Sequence, residues 1–197
     1  MTQILILYYS TSGHTEKMAQ YIARGVESVN GAEAILRTVP PVSTSTQATD
    51  PPIPDAGAPY ATLEDLERCD GLALGSPAYF GSMAAPLKHF WDSTSPLWLK
   101  GTLINKAASV FTTASTMHGG QEMALINMMV PLLHHGMAIL GLPYSEPTLN
   151  STTSGGTPYG ASHYSGATNQ LPLSQDEKAL CQAQGKRLAT IASKLKN

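Results

Sequence analysis

The most constraining feature of this chain lies in its first fifteen residues, where an apolar strand runs into a polar turn and then a helix. Residues 4–9 read ILILYY and residues 10–15 read STSGHT. A strand that is apolar on both faces is typical of the centre of a parallel sheet. In the 10–15 turn, hydroxyl groups, Gly13 and the free N–H groups of a helix start converge, which suits a bound phosphate group.

The same turn excludes several other phosphate chemistries. It matches neither the G-x-x-x-x-G-K-[ST] loop of triphosphate-binding proteins nor the G-x-G-x-x-G fingerprint of dinucleotide-binding proteins. It also contains no cysteine or aspartate that could act as a phosphatase nucleophile or a phospho-acceptor. A ligand with one terminal phosphate, such as FMN, remains, and FAD is not expected.

Length and composition predict one domain over 1–197, because 197 residues with 42% hydrophobic content are ordinary for a soluble globular protein. A net charge of −2 without a basic stripe argues against nucleic acid as the partner. We expect no membrane span, since no apolar run reaches roughly 18–20 residues. We expect no signal peptide, since the N-terminus has no basic region and no small-residue cleavage site. Cys69 and Cys181 lie far apart in sequence, which favours inert buried thiols and a cytoplasmic location.

Strand and helix patterns alternate along most of the chain. The residues predict strands at 4–9, 32–38, 71–76, 106–112 and 137–141, and helices at 15–29, 62–69, 84–93, 121–135 and 174–195. The segments 39–59 and 142–172 are rich in proline, serine, threonine or glycine, and we expect both to be long loops.

This alternation predicts an α/β fold in which helices cover both faces of a five-stranded parallel sheet. The doubly wound order 2-1-3-4-5, which is the flavodoxin-like order, fits five strands and five helices. Ligands of such sheets bind at the carboxyl edge, where the strand order reverses between strands one and three.

Three loops should meet at that edge because they follow strands one, three and four: the 10–15 turn, the 77–83 loop and the 113–120 loop. The second supplies flat apolar groups in Tyr79 and Phe80, together with backbone N–H groups, as an isoalloxazine ring requires. Ordinary core packing of these two aromatic residues stays an alternative, and so does a plain turn for the third loop. The third loop offers Thr113, Ser115, Thr116 and His118.

Five motifs occur in order along the chain: the 10–15 turn, PAYFG at 77–81, HGGQE at 118–122, HHGM at 134–137 and GGTPYG at 155–160. Together they resemble the WrbA-type NAD(P)H:quinone oxidoreductases, which are flavodoxin-like FMN proteins. The resemblance covers essentially the whole chain.

The resemblance and the loop positions imply a set of FMN-binding residues, in addition to Ser12 near the nicotinamide nucleotide and Trp98 as the wall of the substrate side. The FMN set is Ser10, Thr11, Ser12, Gly13, His14, Thr15, Pro77, Ala78, Tyr79, Phe80, Gly81, Thr113, Ala114, Ser115, Thr116, Met117, His118, Gly119 and His134.

The chain departs from the family pattern at two of these positions. Tyr79 stands where the family usually has arginine, and tyrosine supplies no fixed positive charge. Ser12 stands where a larger residue is common, so the nicotinamide contact should differ in shape. We expect the departure at Tyr79 to affect the flavin potential and the choice of quinone more than it affects FMN binding.

The histidines carry separate expectations. A regular helix from Gln121 to His134 rises roughly 20 Å, which takes His134 away from its own flavin. Either that segment is irregular, or His134 serves a neighbouring subunit, or it only interacts with the helix dipole. We expect His89 and His163 to be surface or loop residues. No spacing of histidine, cysteine and carboxylate residues suggests a metal site.

By the resemblance, the chain is an FMN enzyme that oxidises NADH or NADPH and reduces quinones by two electrons, with the flavin performing the chemistry. The family further implies a homotetramer with sites completed across subunits. Two alternatives remain from the residues: a flavodoxin-type electron carrier and a flavin-binding regulatory or interaction protein. The small net charge counts against a carrier, since carriers steer towards partners with strongly charged surfaces.

Overall fold

The computed structural model describes residues 1–43, 54–55 and 57–196. The strands are β1 (Thr2–Tyr8), β2 (Ala32–Thr38), β3 (Gly71–Pro77), β4 (Ala107–Ala114), β5 (Ala138–Ile139) and β6 (Ser162–Tyr164). The helices are α1 (His14–Glu27), α2 (Leu63–Arg68), α3 (Ala85–Asp92), α4 (Ser95–Leu99), α5 (Gln121–His134), α6 (Thr148–Ser151) and α7 (Gln175–Leu195). Part of the long loop predicted at 39–59 lies outside the described residues.

The sheet has the order β2-β1-β3-β4-β5 with parallel pairing throughout, which confirms the predicted topology. β1 therefore lies between β2 and β3, and the next strand along the sheet is β4. The switch point between β1 and β3 brings the ends of β1, β3 and β4 to one edge. Parallel strands with helical crossovers leave few other arrangements.

Two apolar layers cover the sheet, as predicted, because successive side chains of a strand point to opposite faces. Ile4 and Ile6 of β1 pack with α1 and α7 on one face. Leu5 and Leu7 pack with α2, α3, α4 and α5 on the other face. All four of these side chains are fully buried, so β1 is a central strand.

The far edge of the sheet differs from the sequence prediction. β5 has two residues and not the five predicted at 137–141, and β6 lies in the segment predicted as a loop at 142–172. β5 pairs with the start of β4, whereas β6 pairs with its end, from Thr112 to Ala114. Two short strands thus continue one another along one edge of β4, and the pairing with β6 extends β4 beyond its predicted end. The short helices α4 and α6 were also not predicted.

Close contact between α1 and α7 fixes the position of α1. A Cβ on Gly185 would lie 2.0 Å from the carbonyl oxygen of Ile22, and a Cβ on Gly25 would lie 2.0 Å from that of Gln182. Only glycine permits this approach of two helix backbones. Since α1 begins at the 10–15 turn, this packing also holds the turn against the sheet.

The two cysteines are buried and unpaired, as predicted. Burial raises the pKa of the Cys69 thiol to about 11 and raises that of Cys181 further, so both remain protonated at neutral pH. The helices within the described ranges include none that is both long and apolar enough to cross a membrane.

Candidate active site

The 10–15 turn joins β1 to α1 at the carboxyl edge of the sheet. Gly13 precedes α1 with a φ of 82°, a left-handed conformation that favours glycine. No side chain of the described residues caps α1, so the N–H groups of its first turn are not satisfied by a cap. The hydroxyl oxygen of Ser10 is buried and has no hydrogen-bond partner within the described residues. The turn therefore presents unused donors at one place.

The 77–83 loop contains a tight hairpin turn that displays an aromatic ring. The amide of Tyr79 donates to the carbonyl of Ser82 at 2.9 Å, and the amide of Ser82 donates back at the same distance. The two residues between them, Phe80 and Gly81, have φ of 50° and 74°. Phe80 is fully exposed at the tip. A bulky residue in this conformation is uncommon and is a feature of functional loops.

The 113–120 loop begins in β4, since Thr113 and Ala114 belong to the strand and not to the predicted loop. The side-chain amide of Gln121 donates to the carbonyls of Thr116 and Met117, both at 3.2 Å. This contact folds the loop back on the start of α5. The residues 115–118 remain exposed.

The three loops meet in one cavity of about 200 Å³ at the edge of the sheet. The hydroxyls of Thr11 and Tyr79 lie 3.3 Å apart, and those of Thr15 and Thr113 also lie 3.3 Å apart, so both other loops contact the first. The cavity, which we call the edge cavity, is lined by Thr11, Ser12, Thr15, Pro77, Ala78, Tyr79, Thr113, Ala114, Ser115, Ser165 and Asn169.

Some residues of the implied FMN set lie elsewhere. Ser10 lines a neighbouring cavity of about 280 Å³ together with Tyr8 and Tyr9. Met117 and His118 line a third cavity of about 380 Å³. Burial raises the pKa of Tyr8 to about 12, an effect that the nearby Glu16 carboxylate reinforces. Tyr8 is therefore a neutral hydrogen-bonding group beside the turn.

Trp98 and His134 share a cavity of about 600 Å³ that runs along the second half of α5 and reaches Ser82 and Met83 of the 77–83 loop. The indole N–H of Trp98 donates to the carbonyl of His134 at 2.9 Å. His134 ends a 14-residue helix, and its side chain is exposed. The helix is continuous from Gln121 despite Pro131, which leaves two of the three alternatives for His134, a role in a neighbouring subunit or an interaction with the helix dipole.

A buried histidine supports the position of Trp98. Nε2 of His135 lies 2.9 Å from the hydroxyl of Thr94, which itself donates to the carbonyl of Trp91 at 2.7 Å. Because that hydroxyl hydrogen is used, His135 is the donor to Thr94. Burial and the neighbouring His134 lower the pKa of His135, which favours its neutral form. The end of α5 and the start of α4 are thus held together.

The sequence of this chain matches a known protein family and close relatives of known name. Residues 2–145 match the family model described as NADPH-dependent FMN reductase. A protein from Syntrophobacter fumaroxidans named NAD(P)H dehydrogenase (quinone) is 43% identical, over 98% of each chain. A protein of the same name from Geobacter sulfurreducens is 42% identical, again over 98% of each chain. The chain belongs to the NADPH-dependent FMN reductase family.

Solved structures similar to this family member confirm the flavodoxin-like fold. The WrbA-like flavodoxin from Agrobacterium tumefaciens has a TM-score of 0.69 and 19% identity, over 98% of this chain and 99% of that one. A flavodoxin from the domain Archaea has a TM-score of 0.64, also at 19% identity, over 98% and 99% of the two chains.

FMN is the cofactor of this family, and the 10–15 turn fits its phosphate. The buried Ser10 hydroxyl has no protein partner among the described residues, and α1 starts without a side-chain cap. A phosphate would accept hydrogen bonds from both groups, and the helix dipole favours an anion there. A Cβ on Gly13 would meet nothing within 4 Å among the described residues, so there is room for a ligand on that side.

Sequence reasoning missed part of the cavity wall and misjudged one histidine. Ser165 and Asn169 follow β6 and line the edge cavity, and a three-residue strand gives no periodic signal. His163, expected at the surface or in a loop, is fully buried in β6, because it donates to the buried carboxylate of Glu177. His89 is exposed on α3, as predicted.

Proposed function

We propose that the chain is an FMN-dependent NAD(P)H:quinone oxidoreductase that reduces quinones to hydroquinones by two electrons. The edge cavity carries the proposal, because it joins an uncharged phosphate-binding turn to a loop with an exposed aromatic ring. The two relatives named NAD(P)H dehydrogenase (quinone), which match over nearly the full length, support the same activity.

Each of the three loops would contact a different part of the cofactor. The 10–15 turn would bind the phosphate through the first amides of α1, with the buried Ser10 hydroxyl beside it in the neighbouring cavity. The 77–83 loop, with Tyr79 and Phe80, borders the ring, and the 113–120 loop covers it from the side of β4. The hydroxyl contact between Thr11 and Tyr79 supports a shared position for the first two loops.

FMN, when bound, would supply the redox chemistry, as hydride acceptor for the nicotinamide and two-electron donor for the quinone. The side chains of this chain bind and orient, and none need be a covalent catalyst. Ser12 lines the edge cavity and is exposed, which supports its contact with the nicotinamide nucleotide. Tyr79 adds a neutral hydroxyl where the family usually has a positive charge, so it favours substrates by stacking more than by charge.

We further propose a homotetramer in which Trp98 and His134 complete the edge cavity of a neighbouring subunit. Neither residue lines the edge cavity of its own chain. α5 also exposes an apolar stripe, in which Met123 is 54% exposed, Val130 is 48% exposed and Leu133 is 59% exposed. A stripe of this kind marks an interaction surface. The buried free thiols support a reducing compartment such as the cytoplasm.

Light scattering after gel filtration, at micromolar protein, tests the assembly. We expect the wild type to be a tetramer and Val130→Glu to lower the mass, because it places a charge in the apolar stripe. Leu195→Glu, at a position that is 50% exposed at the end of α7, is the matched control and should stay tetrameric. A monomer with full activity would reject the proposal.

Spectra and initial rates test the activity. The purified protein should be yellow with FMN as the flavin recovered by mass spectrometry, and anaerobic NADH or NADPH should bleach it rapidly. An electron carrier would bleach slowly, and a regulatory protein would show no turnover with quinone. Recovery of FAD as the main flavin would contradict the proposal.

Nucleotide and quinone should use one pocket in turn, because two flat rings cannot occupy the hydride-transfer position together. Initial-rate plots at several quinone concentrations should then give parallel lines. Trp98→Ala should weaken the use of both substrates, by about tenfold for each 1.4 kcal/mol lost, while FMN stays bound. Leu99→Ala, also exposed on α4, is the control. Intersecting lines would exclude a shared pocket.

A further inference from the structure

A buried carboxylate lies behind the 10–15 turn, at the start of α7. Glu177 is 1% exposed and accepts four hydrogen bonds. The amides of Gly155 and Tyr164 donate to Oε1 at 2.9 and 3.1 Å, whereas the amide of Ser174 and Nδ1 of His163 donate to Oε2 at 2.8 and 2.9 Å. Each oxygen of this carboxylate thus accepts two hydrogen bonds, and the one from Nδ1 holds the His163 ring in place.

His163 connects this carboxylate to His14. Nδ1 of His163 donates to Glu177. The other ring nitrogen, Nε2, is buried and has no hydrogen-bond partner among the described residues. The rings of His163 and His14 lie against each other, with centroids 5.0 Å apart and planes at 39°. Both side chains are more than nine-tenths buried.

His14 in turn holds two parts of the edge cavity. It is the first residue of α1 and directly follows Gly13 in the turn. Its Nε2 donates to the carbonyl of Asn169 at 2.8 Å, and the hydroxyl of Ser165 donates to the side-chain oxygen of Asn169 at 2.8 Å. Ser165 and Asn169 form the cavity wall that follows β6. One ring therefore joins the phosphate turn to that wall.

We propose that His163 is a positioning residue for the flavin phosphate, acting through the ring of His14. The inference rests on the proposed function, because it takes the 10–15 turn as the phosphate site. Apart from its chain neighbours Ser12 and His14, no described residue places an atom within 4 Å of a Cβ built on Gly13, so no other element packs on that side of the turn. The packing of His14 against His163 supplies the missing support, and small displacements of binding groups weaken binding strongly.

The test compares FMN with riboflavin, which lacks the phosphate, in fluorescence titrations of flavin-free full-length protein. His163→Asn retains an amide donor for Glu177 but removes the ring that faces His14. We expect this variant to bind FMN about tenfold more weakly, which corresponds to about 1.4 kcal/mol, and to change riboflavin binding less than about twofold. His89→Asn, which alters an exposed histidine on α3, is the matched control and should bind both flavins like the wild type.

A double-mutant cycle with His14→Asn tests whether His163 acts through His14. In the His14→Asn background, the second substitution should add almost nothing to the loss of FMN affinity. Additive losses, equal losses for FMN and riboflavin, or unchanged FMN binding would each overturn the inference. If circular dichroism shows that His163→Asn does not fold, His163→Gln, which also carries an amide donor but no ring against His14, takes its place in the same comparison and must show the loss selective for FMN. Wild-type protein that binds no FMN would instead overturn the proposed function.

Discussion

Replacement of Glu177 by glutamine should alter stability in a way that depends on pH. Burial by itself raises the pKa of this carboxyl, but the hydrogen bonds from His163 and from the amides of Ser174 and Tyr164 outweigh it and lower the pKa to about 2. The carboxyl of an unfolded chain has a pKa of about 4.3. A carboxyl with a lowered pKa stabilises the fold above the unfolded pKa, and that contribution is lost as pH falls through the folded value.

The size of the effect follows from the same comparison. Since one pKa unit corresponds to about 1.4 kcal/mol, the pH-dependent contribution of Glu177 is on the order of 3 kcal/mol. At pH 7 the side-chain NH₂ of the glutamine in Glu177→Gln would also face the backbone N–H of Ser174, so two donors would meet without an acceptor. Breaking a buried charged contact of this type costs about 3–5 kcal/mol.

Urea unfolding followed by far-ultraviolet circular dichroism, between pH 7 and pH 2.5, measures both quantities. At about 2 kcal/mol per molar urea, a difference of 3 kcal/mol separates the two midpoints by roughly 1.5 M. We expect the wild type to be more stable than Glu177→Gln at pH 7. The difference in their free energies of unfolding should narrow steadily below about pH 4.5. A gap that is constant across this range, or that widens in acid, would refute the assignment of a strongly lowered pKa.

Two further substitutions test the backbone geometry. Gly185→Ala should lower the free energy of unfolding by about 3 kcal/mol, measured by urea unfolding, because the added Cβ would lie 2.0 Å from a carbonyl oxygen of α1. Gly13→Ala should weaken FMN binding in fluorescence titrations by roughly five- to tenfold, since its φ of 82° costs an L-residue about 1–2 kcal/mol. Gly31→Ala, at a φ of 79° and equally free of contacts, is the control: it should lose stability and keep its FMN affinity.

The sheet order could be predicted because the central strands carry strong local signals. Residues 4–7 are fully buried on both faces of the sheet, and that apolar run is visible in the sequence. The three loops of the edge cavity likewise follow from strand order, since the carboxyl ends of neighbouring parallel strands share an edge. Local pattern and tertiary arrangement agree in this half of the chain.

β6 could not be predicted because its strand conformation depends on a partner. Three residues are too few to show a period of two, and β6 exists because the end of β4 offers unpaired backbone groups from Thr112 to Ala114. The position of His163 depends on β6 and was missed for the same reason. A signal was present: Glu177 is the third residue of α7 and caps it together with Ser174, but the same carboxylate also binds His163.

The position of Trp98 and His134 outside the edge cavity could not be explained from the sequence for a different reason. Gln121, at the start of α5, lies beside the 113–120 loop, and a regular helix places His134 roughly 20 Å further along. The sequence contains this conflict, because family motifs occur at both ends of one helix, but a single chain cannot resolve it. Since Trp98 donates to the carbonyl of His134, the two residues form one unit at the end of α5. In the proposed tetramer, a second copy of the chain docked on the exposed stripe of α5 would bring that unit to the edge cavity of a neighbouring subunit.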